Sequence, residues 1–316
     1  MQFGDSQHGQ SKPVRSVLIL SFLSACCMCQ EGPAVNIVPR PRANESARRP
    51  ASMRLDVKMV LVPANVTDQN DKPVLTLHKE DFHLFEDSVE QKIESFFMDQ
   101  GPVSLGIVFD ASGSMRNKID KSFAAVDQFL KASLPGDEFS LVEFSDVPTL
   151  RLPFTREPNE ILDNLRMVQP QGWTAMLDAI CLAANQMKSA KNSRKALLIL
   201  SDGGDNMSRY SDGEVINRLR EADVRVFAIG LFDRARFLKK AAADTGGGMV
   251  VVHHLSELPD AVDKLSFQLR SQYVLGYYPP QGFHDGKFHT LKVLLSQATE
   301  RIKLHTAWRH GYYAPD

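Results

Sequence analysis

Cysteine is nearly absent from the body of this chain. Three of the four cysteines, Cys26, Cys27 and Cys29, crowd one short segment, and Cys181 stands alone further on. That spacing excludes a disulfide framework for the body, and no second Cys/His half-site follows to complete a zinc centre. Charge of one sign is lacking too: 37 Lys and Arg face 38 Asp and Glu, for a formal net charge of −1. The balance gives no basis for nucleic acid as a partner or for a bulk electrostatic role at a membrane surface. A Ser-His-Asp order, a GxSxG elbow, an HExxH helix and a P-loop are all missing. Present instead is 43% hydrophobic residue content over 316 residues. That supports a sizeable core and one large domain or two modest ones.

The first 30 residues read as a targeting signal. Lys12 and Arg15 precede the apolar run of residues 17–23, and the small residues Ser24 and Ala25 follow. This is the charged, apolar, small-residue order of a secretory signal, and the run is too short to span a bilayer as a mature helix. Leu23-Ser24-Ala25-Cys26 resembles a bacterial lipobox, which implies a lipid anchor at Cys26. Plain cleavage and secretion is the other reading. Either way the protein is expected to be exported to the cell envelope or beyond it. Residues 31–51, rich in Pro, Arg, Asn and Ser, read as a flexible linker.

Order is expected from residue 52. Leu55, Val57, Met59 and Leu61 alternate with Arg54, Asp56, Lys58 and Val60, the period of a strand. Residues 66–74 read as a strand end, a polar turn and a return. The acids that follow, Asp81, Glu86 and Asp87 among them, lack the glycine and glutamate offsets of an EF-hand. They read as turns and solvated strand faces.

The stretch that organises the chain is residues 103–115, VSLGIVFDASGSM. Its first half is an apolar run of strand length, suited to a strand buried on both faces of a parallel sheet. Polarity then switches at Asp110, and Ser112 and Ser114 follow at alternate positions. Ala111 and Gly113 between them let the backbone curl so that three oxygens converge, the kind of cage that hard dications prefer. Beyond it, helical spacing over residues 118–132, 158–167, 214–221, 237–244 and 258–269 alternates with strand patterns over 138–144, 196–200, 224–229 and 249–252. Residues 149–152 suit an antiparallel edge strand. Such alternation implies α/β architecture, a doubly wound, mainly parallel sheet with right-handed crossovers. Ligands bind such sheets outside the carboxyl ends of the strands. The tail returns to strands at 272–279, 289–295 and 301–306.

Asp110-Ala111-Ser112-Gly113-Ser114 matches the DxSGS motif of von Willebrand factor A-like domains. Gly172-Trp173-Thr174-Ala175 resembles the loop that supplies their threonine, and Leu198-Ile199-Leu200-Ser201-Asp202-Gly203 the strand that ends in their second aspartate. The pattern of residues 77–96 and the GYY ending at Tyr313 resemble the flanking segments of a bacterial VWFA-related family. The resemblance implies a Rossmann-like A domain over 101–272. It also implies a metal-ion-dependent adhesion site of Asp110, Ser112, Ser114, Thr174 and Asp202 holding magnesium or manganese, with an open position for an Asp or Glu carboxylate of a protein partner. We expect the strands of 52–100 and 273–316 to pair into a small flanking β-sandwich, because neither flank alone has enough strands for a stable sheet.

The function expected is therefore an exported binding module, not an enzyme. The alternative is a metal-dependent hydrolase using Asp110, since strand-Asp-turn sites also occur in aspartyl-phosphate enzymes. That chemistry needs a second acid two residues on, where this chain has Ser112. Asp205, Asp212 and Asp244 read as turn and cap residues. The adjacent pair His253 and His254 would point to opposite faces of a strand, which makes it a poor metal site.

Overall fold

The computed structural model describes residues 59–232, 235–279, 285–296 and 303–314. The expected signal and linker, residues 1–51, lie outside the described residues. Residues 52–58 of the expected alternation also lie outside the described residues, and the strand that follows, β1 (Val60–Thr67), turns Val60, Val62 and Val66 inward and leaves Leu61 exposed, the opposite face from the one that alternation gave. The polar turn after it is built by Asp68, whose Oδ1 accepts from the main-chain N–H of Asn70 and Lys72. The return amounts to a single bridge between Thr67 and Pro73. Next come β2 (Phe82–Glu86), β3 (Val89–Gln91) and β4 (Ser95–Asp99).

The chain then enters the central sheet through β5 (Val103–Asp110), every residue of which is buried. In chain order there follow α1 (Ile119–Lys131), β6 (Glu138–Phe144), β7 (Thr149–Thr155), α2 (Pro158–Arg166) and α3 (Met176–Gln186). After these come β8 (Arg194–Ser201), α4 (Asp212–Glu221), β9 (Arg225–Leu231), α5 (Arg236–Asp244), β10 (Gly248–Val252) and α6 (Leu258–Arg270). The sheet order is β10-β9-β8-β5-β6-β7, parallel throughout except for β7, which is the antiparallel edge. Leu105, Ile107 and Phe109 face α1, α2 and α6 through Val126, Leu165 and Leu265, while Val108, Leu197 and Ile199 face α3, α4 and α5 through Ile180, Leu219 and Leu238. Burial on both faces is why these strands read as apolar runs and not as alternations.

Beyond α6 the chain forms β11 (Gln272–Tyr277), β12 (Phe288–Leu295), β13 (His305–Trp308) and β14 (Gly311–Tyr313). They interleave with the first four strands in two antiparallel sheets, β13-β1-β11-β4 and β14-β12-β2-β3. The sheets share one core, where Val62, Phe82, Leu84, Tyr273, Leu275 and Val293 meet, which makes them a sandwich. The strand that leads into the central sheet, β4, pairs with the one that leaves it, β11.

Two expectations are corrected. The strand expected at 301–306 begins at His305 among the described residues. Lys303 has a φ of +53°, which extended backbone does not accommodate. Glu86 is not on a solvated face. It is buried, and its Oε1 accepts from the hydroxyls of Tyr277 at 2.7 Å and Tyr312 at 2.6 Å.

Candidate functional site

Asp110 is the last residue of β5, at the carboxyl edge of the sheet. Its side chain is fully buried, and both oxygens are held: Oδ1 accepts from the Ser112 N–H at 2.9 Å and Oδ2 from the Ser201 hydroxyl at 2.6 Å. Ser201 ends β8, the neighbouring strand, so this one carboxylate ties two strand ends together. Burial pushes the Asp110 carboxyl above the usual carboxylate range, the hydrogen bonds from Ser112 and Ser201 oppose that, and the nearby charge of Asp202 adds to it. The chain then turns through a short 3-10 segment, Gly113–Met115, which brings the Ser112 and Ser114 hydroxyls to 3.1 Å from each other.

The threonine loop is laced onto this turn by main-chain hydrogen bonds. Gly113 N–H donates to Gly172 O at 3.0 Å, and Gln171 N–H to Ala111 O at 2.9 Å. Gly172 has a φ of +74°, and a Cβ there would lie 2.5 Å from an oxygen of Asp146, whose other oxygen accepts from the Trp173 N–H. Only glycine fits such a place without strain. Thr174 follows, nearly buried. Its N–H donates to Asn206 Oδ1 at 2.9 Å, and its carbonyl accepts from the N–H groups of Asn206 and Met207. Asp205 accepts from the N–H groups of Met176 and Leu177 at the start of α3, the cap role expected of it. Asp244 instead forms an ion pair with Arg220 at 2.7 Å.

Asp202 follows β8 directly. Its Oδ2 lies 2.7 Å from Lys118 Nζ, with both side chains mostly enclosed, and the same ammonium stands 5.2 Å from the centre of the Phe232 ring. Asp110, Ser112 and Ser114 thus form one contiguous turn, the Thr174 loop is hydrogen-bonded to it, and Asp202 stands at the end of the adjacent strand. Five further residues hold the arrangement: Gly172 and Ser201, which lie inside the quoted loop and strand segments, and Lys118, Asp146 and Asn206, to which sequence reasoning gave no part. Lys118 lies four residues after Ser114, a one-turn spacing that is the single local signal for its presence here.

The donor set suits a hard dication: two carboxylates and three hydroxyls, all oxygen. Among the described residues no cluster of three or more His, Cys, Asp or Glu side chains is placed to hold a metal, so any ion here would depend on the hydroxyls. The electrostatics fit as well. A buried carboxylate raised by its surroundings and a second carboxylate beside it favour a positive charge, and the chain already supplies one with Lys118. His253 and His254 follow β10, three strands from β5 in the sheet, and their main-chain N–H groups donate to Glu257.

Residues 105–204 match the family model described as von Willebrand factor type A domain. The matched span is about a third of the chain and runs from within β5 to the residues just after β8. Inter alpha-trypsin inhibitor, heavy chain 4 of Mus musculus is 30% identical over 158 residues, 44% of this chain and 17% of that protein. An uncharacterized protein of Borreliella burgdorferi is 23% identical over 141 residues, 42% of this chain and 41% of that protein. The chain therefore spans less than half the length of either curated relative. Among solved structures, proximal thread matrix protein 1 from the mussel byssus, solved with a zinc-occupied MIDAS motif, is 22% identical with a TM-score of 0.48, covering 58% of this chain and 50% of that one.

Proposed function

We propose that this domain is a binding module that holds one magnesium or manganese ion on Asp110, Ser112, Ser114, Thr174 and Asp202 and captures an Asp or Glu carboxylate of a partner protein. The observation that carries this reading is the Asp110 carboxylate, buried where burial disfavours its charge, one turn from two hydroxyls 3.1 Å apart. A bound dication supplies a Lewis-acid position for the partner's oxygen. Three large apolar side chains, Trp173, Met207 and Phe232, are exposed around the site, although apolar residues of this size are usually buried. Trp173 precedes Thr174, the Met207 N–H bonds its carbonyl, and Phe232 faces Lys118. An apolar rim of this kind, two aromatic rings and a thioether, favours a protein partner, because a few such anchors carry most of an interface's energy.

Binding is a better reading than hydrolysis because Ser112, the residue an aspartyl-phosphate enzyme would need as proton donor, has its hydroxyl engaged with Ser114 and no acidic proton to give. The direct test is calorimetric titration of magnesium and manganese into the protein, followed by magnesium-dependent capture from an envelope fraction with the metal-site variant as control. Stoichiometric metal binding with capture that vanishes in chelator supports the reading. Turnover of a phosphatase, protease or nuclease substrate that is lost in Asp110→Asn would replace it with the hydrolase.

Export is part of the same proposal and rests on residues 12–26. Among the described residues no helix is long and apolar enough to cross a membrane. A mature chain whose mass places a lipidated Cys26 at its N-terminus is the expected result for an anchored form, an unmodified N-terminus that for a secreted one, and recovery of the uncleaved chain from the cytoplasm would count against both.

Lys118 gives this reading a quantitative handle. Its ammonium neutralises Asp202 and competes for the charge that a dication would use. Lys118→Met is expected to tighten magnesium binding on the order of tenfold, equal to about 1.4 kcal/mol. Unchanged affinity in that variant would mean that the ion pair does not oppose metal binding.

A further inference from the structure

At the amino ends of the central strands, opposite the edge that carries Asp110 and Asp202, lies a cavity of about 200 Å³ between the α/β layer and the sandwich. Four cationic side chains line it, Arg194, Lys195, Arg225 and Arg309, against two acids, Asp99 and Asp223. The acids reach only part of that charge. Asp223 accepts from Arg309 Nη1 at 2.7 Å, and Asp99 Oδ2 stands 3.5 Å from Arg194 Nε, within ion-pair reach but outside hydrogen-bond geometry. Four other nitrogens are tied to neutral oxygens. Arg194 donates through Nη1 and Nη2 to the carbonyls of Gly101 and Leu269, Arg309 through Nη2 to that of Leu61, and Arg225 through Nη1 to the side chain of Gln272.

Arg194 and Arg225 are each only 7% exposed. Among the described residues, seven buried side-chain nitrogen or oxygen atoms have no hydrogen-bond partner, and three of them are Arg194 Nε, Arg225 Nη2 and Arg309 Nε, all on arginines that line this one cavity. Burial lowers the Arg225 guanidinium to about 9, and the charge of Arg194 adds to the effect. The fold therefore holds positive charge here that it does not balance, which is costly away from water unless a counter-charge is present.

We propose that this cavity is an anion site that takes a small organic oxyanion, a phosphate or carboxylate head on a short apolar body. Guanidinium forks match the oxygen spacing of both head groups. Leu61, Phe97 and Val274 line the same cavity and supply an apolar wall for the body of the ligand. The room is on the order of six or seven water-sized groups, enough for a small ring with its head group. The site is distinct from the metal site and does not depend on it.

The test is calorimetry on the full-length protein in chelator, so that the metal site takes no part, with phenyl phosphate, benzoate and inorganic phosphate as probes. One phenyl phosphate or benzoate per chain is expected, bound more tightly than inorganic phosphate. The preferred organic probe identifies the head group. Arg225→Gln is expected to weaken binding about tenfold, the scale of one lost charge-assisted hydrogen bond. Should that variant fail to fold, Lys195→Gln, at a half-exposed position, and Arg309→Gln serve the same purpose. Absence of binding by all three probes up to about 10 mM, an affinity weaker than any selective site, overturns the proposal. So does equal binding by the parent protein and by the folded variants.

Discussion

Asparagine in place of Asp110 is expected to weaken magnesium binding by on the order of a hundredfold or more while leaving the metal-free protein as stable as before, or more so. The first half follows from the donor set. Substitution of a residue that only supports a ligand already costs about 10–100-fold, and Asp110 is the carboxylate at the root of the turn that carries Ser112 and Ser114. The second half follows from its surroundings. The folded-state pKa of Asp110 lies above its ordinary value, with burial as the main cause. Ionisation of Asp110 therefore costs stability. The cost develops as the pH rises from the unfolded-state value to the folded one and is complete above it. Asparagine removes the charge, keeps an oxygen for the Ser112 N–H and puts an amide N–H where Oδ2 was, toward the Ser201 hydroxyl, which can turn to accept it, and so removes the cost. Thermal unfolding in chelator should place the variant at or above the parent, and the rise in midpoint that magnesium gives the parent should vanish. A variant destabilised in chelator would mean that Asp110 is a structural clasp first, and equal magnesium stabilisation in both proteins would remove it from the metal site.

Local pattern carried much of this molecule. The helices expected from apolar spacing, such as 158–167 and 258–269, coincide within a residue or two with Pro158–Arg166 and Leu258–Arg270. The buried strands were legible because an apolar run that stops at a carboxylate has few other meanings in an α/β chain. What local pattern did not carry is contact at long range. Ser201 reaches Asp110 across 91 positions, Lys118 reaches Asp202 across 84 and Trp173 reaches Asp146 across 27, and no periodicity links such pairs. The cavity arginines are hidden for the same reason. Arg194 and Arg225 each open a strand, where a polar residue looks unremarkable until a second layer closes over it. Glu86 is a different case, because its signal was present. It stands two and four residues after Leu84 and Phe82, on the inward face of a period-two strand, so strand parity alone places it in the core.

That parity makes Glu86 the second large lever. Alanine at this position is expected to lower stability by about 4 kcal/mol. Glu86 sits on β2, Tyr277 on β11 and Tyr312 on β14, so its single oxygen joins both sheets of the sandwich. Hydrogen bonds to a carboxylate contribute about 1.5–3 kcal/mol each, and loss of the acceptor also strands buried donors. Burial raises both tyrosines, and their bonds with each other and with Glu86 tie the three groups together, so neither hydroxyl escapes by ionising at physiological pH. Glutamine keeps an oxygen at the same place and should cost about 1–2 kcal/mol, the difference between a charged and a neutral acceptor. Leucine with both tyrosines changed to phenylalanine should recover much of the loss, since exchanging a complete buried polar group for apolar side chains of similar shape is often close to neutral. Urea denaturation of the four proteins gives the order directly. If alanine costs less than about 1 kcal/mol, within the range of an ordinary surface substitution, the sandwich is held by its apolar core alone. If the triple variant is no better than alanine, the cost comes from lost packing and not from stranded hydroxyls.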